Sequence, residues 1–394
     1  MTKTPAVVLG NLMMGRCFSL AGIPYIGITT KNDKRLFYSK SCIKGLTLPN
    51  PAKHPEKTLE GLLKIADEYG ERLPLFYTND AQLQLISENY DLFNEKFKVN
   101  LPSQEVINAG LYKHIFNGLV KKYDLPIPPT FHRDEIMDGT ELDYPVIIKP
   151  TSRIHWFNSQ VIKEIGSQQK VLLINSLEEF VYYRDKINAE EIDYIIQKYI
   201  PGPESNILSY HSFFDENSEP LTSYCGRKVR TYPYDYGLSC YLALVKDENV
   251  IRTSIDMLKK IEFRGPIKID YKLDEDTGKI YLLEINPRYN MWHYLGAKSG
   301  INLPALAYEY HLGNKNISCP TEYRTDIKWL SAFQDFQVFR EMKEKNLISS
   351  LGWIKSLQGK KIYQTYAPDD LKPVLYGLFE TSKGVIRRVR RLIS

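Results

Sequence analysis

The chain has 394 residues, 43% hydrophobic and 25% charged, a globular composition long enough for two or three structural units rather than one core. Its net charge of +5 is mild and spread out, which gives no basis for a nucleic-acid partner. The five cysteines (Cys17, Cys42, Cys225, Cys240, Cys319) are odd in number with no CxxC pair. That excludes a disulfide framework or a cysteine zinc site as the organising chemistry and fits reduced thiols in a cytoplasmic protein.

In chain order, MTKTPAVVLGN lacks the apolar run of a signal peptide, and no stretch is long enough to span a bilayer. AVVLG (6–10) reads as a buried strand, followed by a short helix near 15–21 and a second strand at IPYIGITT (23–30), the opening of a parallel α/β unit. GNLMMGR lacks GxGxxG and reads as a plain strand-to-helix turn. LEGLLKIADEYG (59–70) reads as an amphipathic helix. PLFYTND (74–80) is a strand that delivers Thr78 and Asp80 to its carboxyl end, where ligands of open α/β sheets gather; Asp80 serves equally well as a helix cap. A helix at 104–123 ends before the prolines of LPIPPTF (125–131). YPVIIKP (144–150) is a strand with Lys149 at its exit, and DYIIQKYIPGPESN (193–206) a strand running into a turn. GPIKIDYKLDEDTGKIYLLEINPR (265–288) forms two strands around a polar turn, and INLPALAYEYHLG (301–313) a helix. The alternation is α/β followed by α+β.

The 265–288 hairpin carries the most specific chemistry. Glu284 and Asn286 are two apart and share a strand face, and the first strand brings Asp270 near them. Oxygen donors without histidine or cysteine suit a hard cation such as Mg²⁺, which shares its shell with substrate phosphates. Cations that could meet those phosphates are Lys113, Lys149, Arg227, Lys228, Arg230 and Arg288.

The order of these motifs resembles the ATP-grasp enzymes over about residues 105 to 312. A helix lysine precedes PVIIKP, and IIQKYIPGPE precedes IKIDYK and LLEINPR. The resemblance implies that Lys113 and Lys149 contact ATP phosphates. It places Gln197, Lys198, Tyr199 and Ile200 against adenine and Glu204 on the ribose. Asp270, Glu284 and Asn286 would hold Mg²⁺, and Arg288 a phosphoryl or acyl-phosphate group. Arg227, Lys228 and Arg230 would meet acyl-phosphate oxygens or an anionic substrate. The implied fold is an ATP-grasp domain at 106–317, preceded by a Rossmann-like pre-ATP-grasp domain at 1–105. A helical C-terminal extension with a basic tail follows at 318–394, similar to the subgroup that contains D-aspartate ligases and to carbamoyl-phosphate synthases.

The implied activity is carboxylate–amine ligation through an acyl phosphate, on a cell-envelope or polysaccharide precursor. A nucleotide-binding regulator without turnover and an ATP-dependent carboxylase stay open as alternatives. Small amino and carboxylate substrates are the expected partners; a homodimer and peripheral contact with a membrane or a lipid-linked acceptor also stay open. Where many such proteins close a glycine-rich lid, residues 151–169 carry one glycine and offer Arg153, His155 and Trp156 as anchors. In GVIRRVRRLIS (384–394), Val385, Ile386, Val389, Leu392 and Ile393 share one helical stripe, with Arg387, Arg388, Arg390 and Arg391 mostly opposite. Such a tail fits either a docked helix or a segment resting on anionic lipid.

Overall fold

Apolar runs separated by amphipathic helices fold the N-terminal third into a five-stranded parallel sheet. A computed structural model describes residues 3–30, 33–136, 141–151, 156, 159–165, 171–234, 237–314 and 316–381. The strands are β1 (Ala6–Leu9), β2 (Tyr25–Thr29), β3 (Cys42–Thr47), β4 (Leu73–Tyr77) and β5 (Phe97–Lys98), in the order β3-β2-β1-β4-β5. Every residue of β1, β2 and β4 is buried, as parallel strands covered on both faces require. Asn11 caps the helix Leu12–Leu20 by accepting from Met13 N and Met14 N, so GNLMMGR is a capped strand-to-helix turn. The helix expected over 104–123 is two helices, Gln104–Leu111 and Lys113–Tyr123. They are separated at Tyr112, whose backbone is extended.

The next segment forms a small lobe with its own core. β6 (Thr130–His132), β7 (Val146–Pro150), β8 (Leu172–Ile174) and β9 (Tyr194–Lys198) pair antiparallel in the order β6-β9-β7-β8. The helix Leu177–Ala189 packs on them through Phe180 and Ile187. Trp156 is fully buried in this core with Val146, Ile148 and Ile174, so it is a packing residue and not the lid anchor expected of it. Arg153, His155 and most of 151–169 lie outside the described residues.

The largest sheet has seven strands, β10 (Ile207–Phe214), β11 (Pro220–Tyr232), β12 (Leu238–Val245), β13 (Gly265–Leu273), β14 (Ile280–Asn286), β15 (Ile327–Leu330) and β16 (Lys360–Tyr363). Their order is β14-β13-β10-β11-β12-β15-β16, antiparallel except for the β15–β16 pair. β10 to β12 go unanticipated by the sequence reading. The extension after 318 supplies β15 and β16 to this sheet as well as the helices Ala332–Glu344 and Ser350–Ser356.

One core joins the N-terminal sheet (Val8, Phe18, Phe76), the large sheet (Tyr224, Leu242), the helix Trp292–Ser299 and the extension (Ile327, Trp329). Beside it, buried Arg16 donates to Asp370 Oδ2 at 3.2 Å and to Thr365 O at 2.5 Å. This pairing ties the first helix to the end of the extension.

Candidate active site

The β13–β14 hairpin sets Asp270 opposite Glu284 and Lys268 opposite Asn286. Alternation on β13 buries Ile267, Ile269 and Tyr271 in one core and turns Lys268 and Asp270 to the other face. Ser209 on β10 lies opposite Asp270 and donates a short hydrogen bond to its Oδ1. Asp270 Oδ2 accepts from Lys268 Nζ at 2.6 Å and from Lys228 Nζ at 3.0 Å. Burial alone would raise the Asp270 carboxyl, but Lys228 and Lys268 more than reverse that and hold it well below the usual carboxylate range. Burial likewise opposes charge on Lys228, and Asp270 and then Glu284 raise it instead.

Glu284 is more open, with about half its side chain exposed. Asn286 Nδ2 donates to Glu284 Oε1 at 3.1 Å, and Arg288 donates to Asn286 Oδ1 at 2.9 Å. Arg288 Nε also donates to Asp80 Oδ1 at 2.5 Å, across to the N-terminal sheet. The capping alternative for Asp80 falls to its neighbour, because Asn79 accepts from Gln82 N. The loop after β14 is seated on the end of β4: Tyr77 OH donates to Pro287 O, and Tyr289 N donates to Tyr77 O. Gly110 makes this approach feasible, since a Cβ there would lie 2.7 Å from Pro287 Cδ.

From the small lobe, Lys149 at the exit of β7 donates to Gln197 Oε1 at 2.5 Å. Gln197 in turn donates to Thr130 Oγ1 at 2.8 Å. Burial pushes the Lys149 ammonium down to about 8, against the opposing charge of Glu284. Glu284, on the large sheet, is the charge outside the small lobe that acts on Lys149. Lys198 pairs with Asp143, Tyr199 N donates to Pro145 O, and Ile200 is buried. Glu204 accepts from Thr231 Oγ1 at 2.5 and 2.6 Å. Lys113 opens its helix; its side chain lies outside the described part.

The three cations of GRKVR do not act together. Lys228 alone reaches Asp270. Arg227 lies opposite Leu208 and two residues after Cys225 on the same strand, so alternation turns it to the face of the core that holds both; its buried Nε makes no hydrogen bond. Arg230 follows a bulge and is spent on Asp335 (2.6 and 3.1 Å) and Ser356 Oγ (2.9 Å), with its guanidinium 4.7 Å over Tyr241. It fastens the extension to β11 and does not meet the Asp270 cluster. Neither Arg227 nor Arg230 is paired with Asp270 among the described residues, where Arg230 is instead engaged by Asp335 and Ser356.

Lys268, Lys272, Ser209 and the Asp80–Arg288 pair are absent from the sequence-derived site. The signal for the first two stands in IKIDYK, where Lys268, Asp270 and Lys272 alternate with apolar residues. Lys272 donates to Gly202 O at 2.7 Å and Pro203 O at 2.9 Å, which fastens the return from the small lobe. Among the described residues no three His, Cys, Asp or Glu side chains cluster as a metal site, so an ion would rely on two carboxylates and an amide. Glu284 fits that role by its oxygen chemistry and openness, and Asn286 by its side-chain oxygen, although it is only 8% exposed. Asp270 is 2% exposed and already paired with both Lys228 and Lys268.

A family model described as ATP-grasp in the biosynthetic pathway with Ter operon matches residues 224–333. D-aspartate ligase of Enterococcus faecium is 25% identical over 272 residues, covering 65% of this chain and 64% of that protein. D-alanine–D-alanine ligase of Petrotoga mobilis is 26% identical over 236 residues, covering 56% of this chain and 66% of that one. The chain thus spans just under two thirds of the length of these curated relatives. Among solved structures, N5-carboxyaminoimidazole synthetase of Staphylococcus aureus superposes with a TM-score of 0.60 at 14% identity, covering 87% of this chain and 86% of that one. The chain has the ATP-grasp fold, and its sequence is similar to carboxylate–amine ligases of that superfamily.

Proposed function

We propose that the protein is an ATP-dependent carboxylate–amine ligase that forms an amide or peptide bond through an acyl phosphate. The observation that carries this is the single-face cluster of Lys228, Lys268, Asp270, Glu284 and Asn286, with Arg288 at its edge and Lys149 facing it from the small lobe. Three lysines and an arginine around three oxygen donors suit a polyphosphate better than a neutral ligand.

In this reading the triphosphate lies between Lys149 and the large sheet, with Lys113 on the same phosphates. Adenine rests along Gln197 to Ile200, and the ribose hydroxyls are held by Glu204. Glu284 and Asn286, joined by Asp270, would hold Mg²⁺, which would supply charge neutralisation for the phosphate groups. A substrate carboxylate oxygen attacks the γ-phosphorus, the bond to the β-phosphate oxygen breaks, and ADP leaves. The amine nitrogen then attacks the acyl carbon. The carbon–oxygen bond to phosphate breaks, and phosphate departs with that electron pair and the amine proton. Lys228 and Lys268 hold oxygens of the β-phosphate and of the transferred phosphoryl group, while Arg288 orients the carboxylate as a planar donor. No protein nucleophile is required.

Similarity to a D-aspartate ligase and a D-alanine–D-alanine ligase favours an amino acid as one substrate, and an envelope or polysaccharide precursor as the other extends that reading. The test is phosphate release from ATP, screened over L- and D-amino acids with and without soluble cell-wall or glycan fragments. Release that needs both a carboxylate and an amine supports ligation. Nucleotide binding without turnover under every pairing refutes it.

A further inference from the structure

With the basic tail at 384–394 outside the described residues, the contact nearest the chemistry that still has no role is the one between Asp80 and Arg288. Asp80 stands in the first turn of the helix Asp80–Glu88, which follows β4 in the N-terminal unit. That turn is complete without its side chain. Asn79 Oδ1 accepts from Gln82 N at 3.0 Å, Thr78 N donates to Gln82 Oε1 at 2.8 Å, and Thr78 Oγ1 donates to Leu9 O at 3.0 Å. Local capping thus leaves the Asp80 carboxylate over, and its Oδ1 accepts from Arg288 Nε at 2.5 Å.

Arg288 is fixed first by its backbone. Its N donates to Asn286 O at 2.8 Å, and both chain neighbours are tied to Tyr77 of β4. Pro287 O accepts from Tyr77 OH at 3.2 Å, and Tyr289 N donates to Tyr77 O at 3.3 Å. A long side chain on a fixed backbone still samples many rotamers. Two acceptors from different units remove that freedom: Asp80 takes Nε, and Asn286 Oδ1 takes Nη2 at 2.9 Å. The guanidinium is a rigid planar fork, so anchoring Nε and Nη2 sets the plane and the direction of Nη1. Among the described residues no protein group bonds Nη1, which keeps its donors for a further anion.

We infer that Asp80 is a positioning residue for ligation, holding the Arg288 guanidinium so that Nη1 faces the substrate carboxylate. The N-terminal sheet then takes part in the reacting centre and is not only a support. The inference rests on the ligase reading, in which Arg288 orients that carboxylate. A merely structural carboxylate in this first turn would act through the helix dipole, whatever stands at 288. A positioning carboxylate acts through Arg288 alone. The Asp80 side chain is 61% exposed and that of Arg288 21%, so their pair adds little to folding, whereas a misplacement of about 1 Å at a reacting centre costs about a hundredfold in rate.

The test uses the full chain with magnesium and ATP, and hydroxylamine as the amine. The L- and D-amino acids and soluble cell-wall peptide fragments are the carboxylate probes. Attack of the hydroxylamine nitrogen on the acyl carbon breaks the carbon–oxygen bond to phosphate, and the hydroxamate left behind is read as its coloured ferric complex. Asp80→Ala should lower kcat/KM for the reactive carboxylate at least about tenfold, with KM for ATP within about twofold of wild type and the thermal transition unmoved. Asp80→Glu, which restores a carboxylate, should recover part of that loss. In an Arg288→Lys background Asp80→Ala should change kcat/KM by less than about twofold, because two residues that act as one unit are not additive. Hydroxamate formation by the wild type with Asp80→Ala unchanged overturns the inference and leaves the ligase reading standing. The same tenfold loss in the Arg288→Lys background, or a loss matched by a fall in the thermal transition, makes Asp80 a structural residue and overturns the inference too. Wild-type protein that yields no hydroxamate with any probe removes the ligase reading, and the inference with it.

Discussion

Replacing Asp270 by asparagine probes the charge balance of the site. Asp270 is 2% exposed, with Lys228 and Lys268 on one of its oxygens and Ser209 on the other. The amide would keep the shape and remove the charge, leaving two enclosed ammonium groups without their anion. Removing one partner of a buried pair costs about 3–5 kcal/mol. Unfolding entropy of about 2.1 cal/mol/K per residue over 394 residues gives about 0.8 kcal/mol/K, so Tm should fall by about 4–6 °C.

The loss has a pH signature. Asp270 is held below its unfolded value, so its stabilisation is fully present above about pH 4 and disappears as pH falls through the lowered folded pKa. The gap between wild type and D270N should therefore be constant from pH 5 to 8 and narrow only in acid. Saturating ADP should narrow it as well, because its phosphates give Lys228 and Lys268 a new anion. Differential scanning fluorimetry at several pH values, with and without ADP, measures both. A variant as stable as wild type at neutral pH, or a gap that ADP leaves unchanged, would refute the assignment of these lysines to phosphate.

Lys149 has a folded pKa of about 8, so ADP affinity by calorimetry should weaken as pH rises from 8 toward 10; Lys149→Arg should flatten that dependence and Lys163→Ala leave it intact. Glu284→Gln and Asn286→Ala should abolish magnesium-dependent ATP turnover, with little shift in Tm for the first, since Glu284 is half exposed, and a larger one for the second, which loses buried hydrogen bonds; wild-type turnover in both would sink their role. Arg230→Ala breaks a buried pair with Asp335 and should cost about 3–5 kcal/mol of stability with nucleotide affinity unchanged. Tighter coupling of Arg230 to nucleotide than to Tm would return it to the site.

The hairpin was legible because strand alternation is a strict geometric rule. Glu284 and Asn286 had to share a face, and the same rule applied to IKIDYK would have yielded Lys268. Arg227 and Arg230 misled because adjacency in GRKVR says nothing about face, and the bulge in β11 redirects Arg230 to a partner more than a hundred residues away. Trp156 looked like a lid residue because it stands in the glycine-poor stretch that follows Lys149, whereas its surroundings come from β7, β8 and the helix Leu177–Ala189. Asp80 could be weighed but not assigned, since its partner Arg288 is 208 positions distant. β15 and β16 are four residues each, too short for periodicity to reveal, and their pairing is decided by the sheet they join.

The division of the hydrophobic interior has a mechanical consequence. The N-terminal sheet, the large sheet and the extension share one core and are further bolted by Arg16–Asp370 and Arg230–Asp335. The small lobe keeps a core to itself, and the backbone crosses to it only twice, before β6 and after β9. Thermal agitation should therefore resolve the molecule into a heavy anvil and a light hammer. The work done on closing would fall on the two crossing segments, with Lys272 gripping the second at Gly202 and Pro203, so that the swing of Lys149 toward Glu284 turns on a pinned axle.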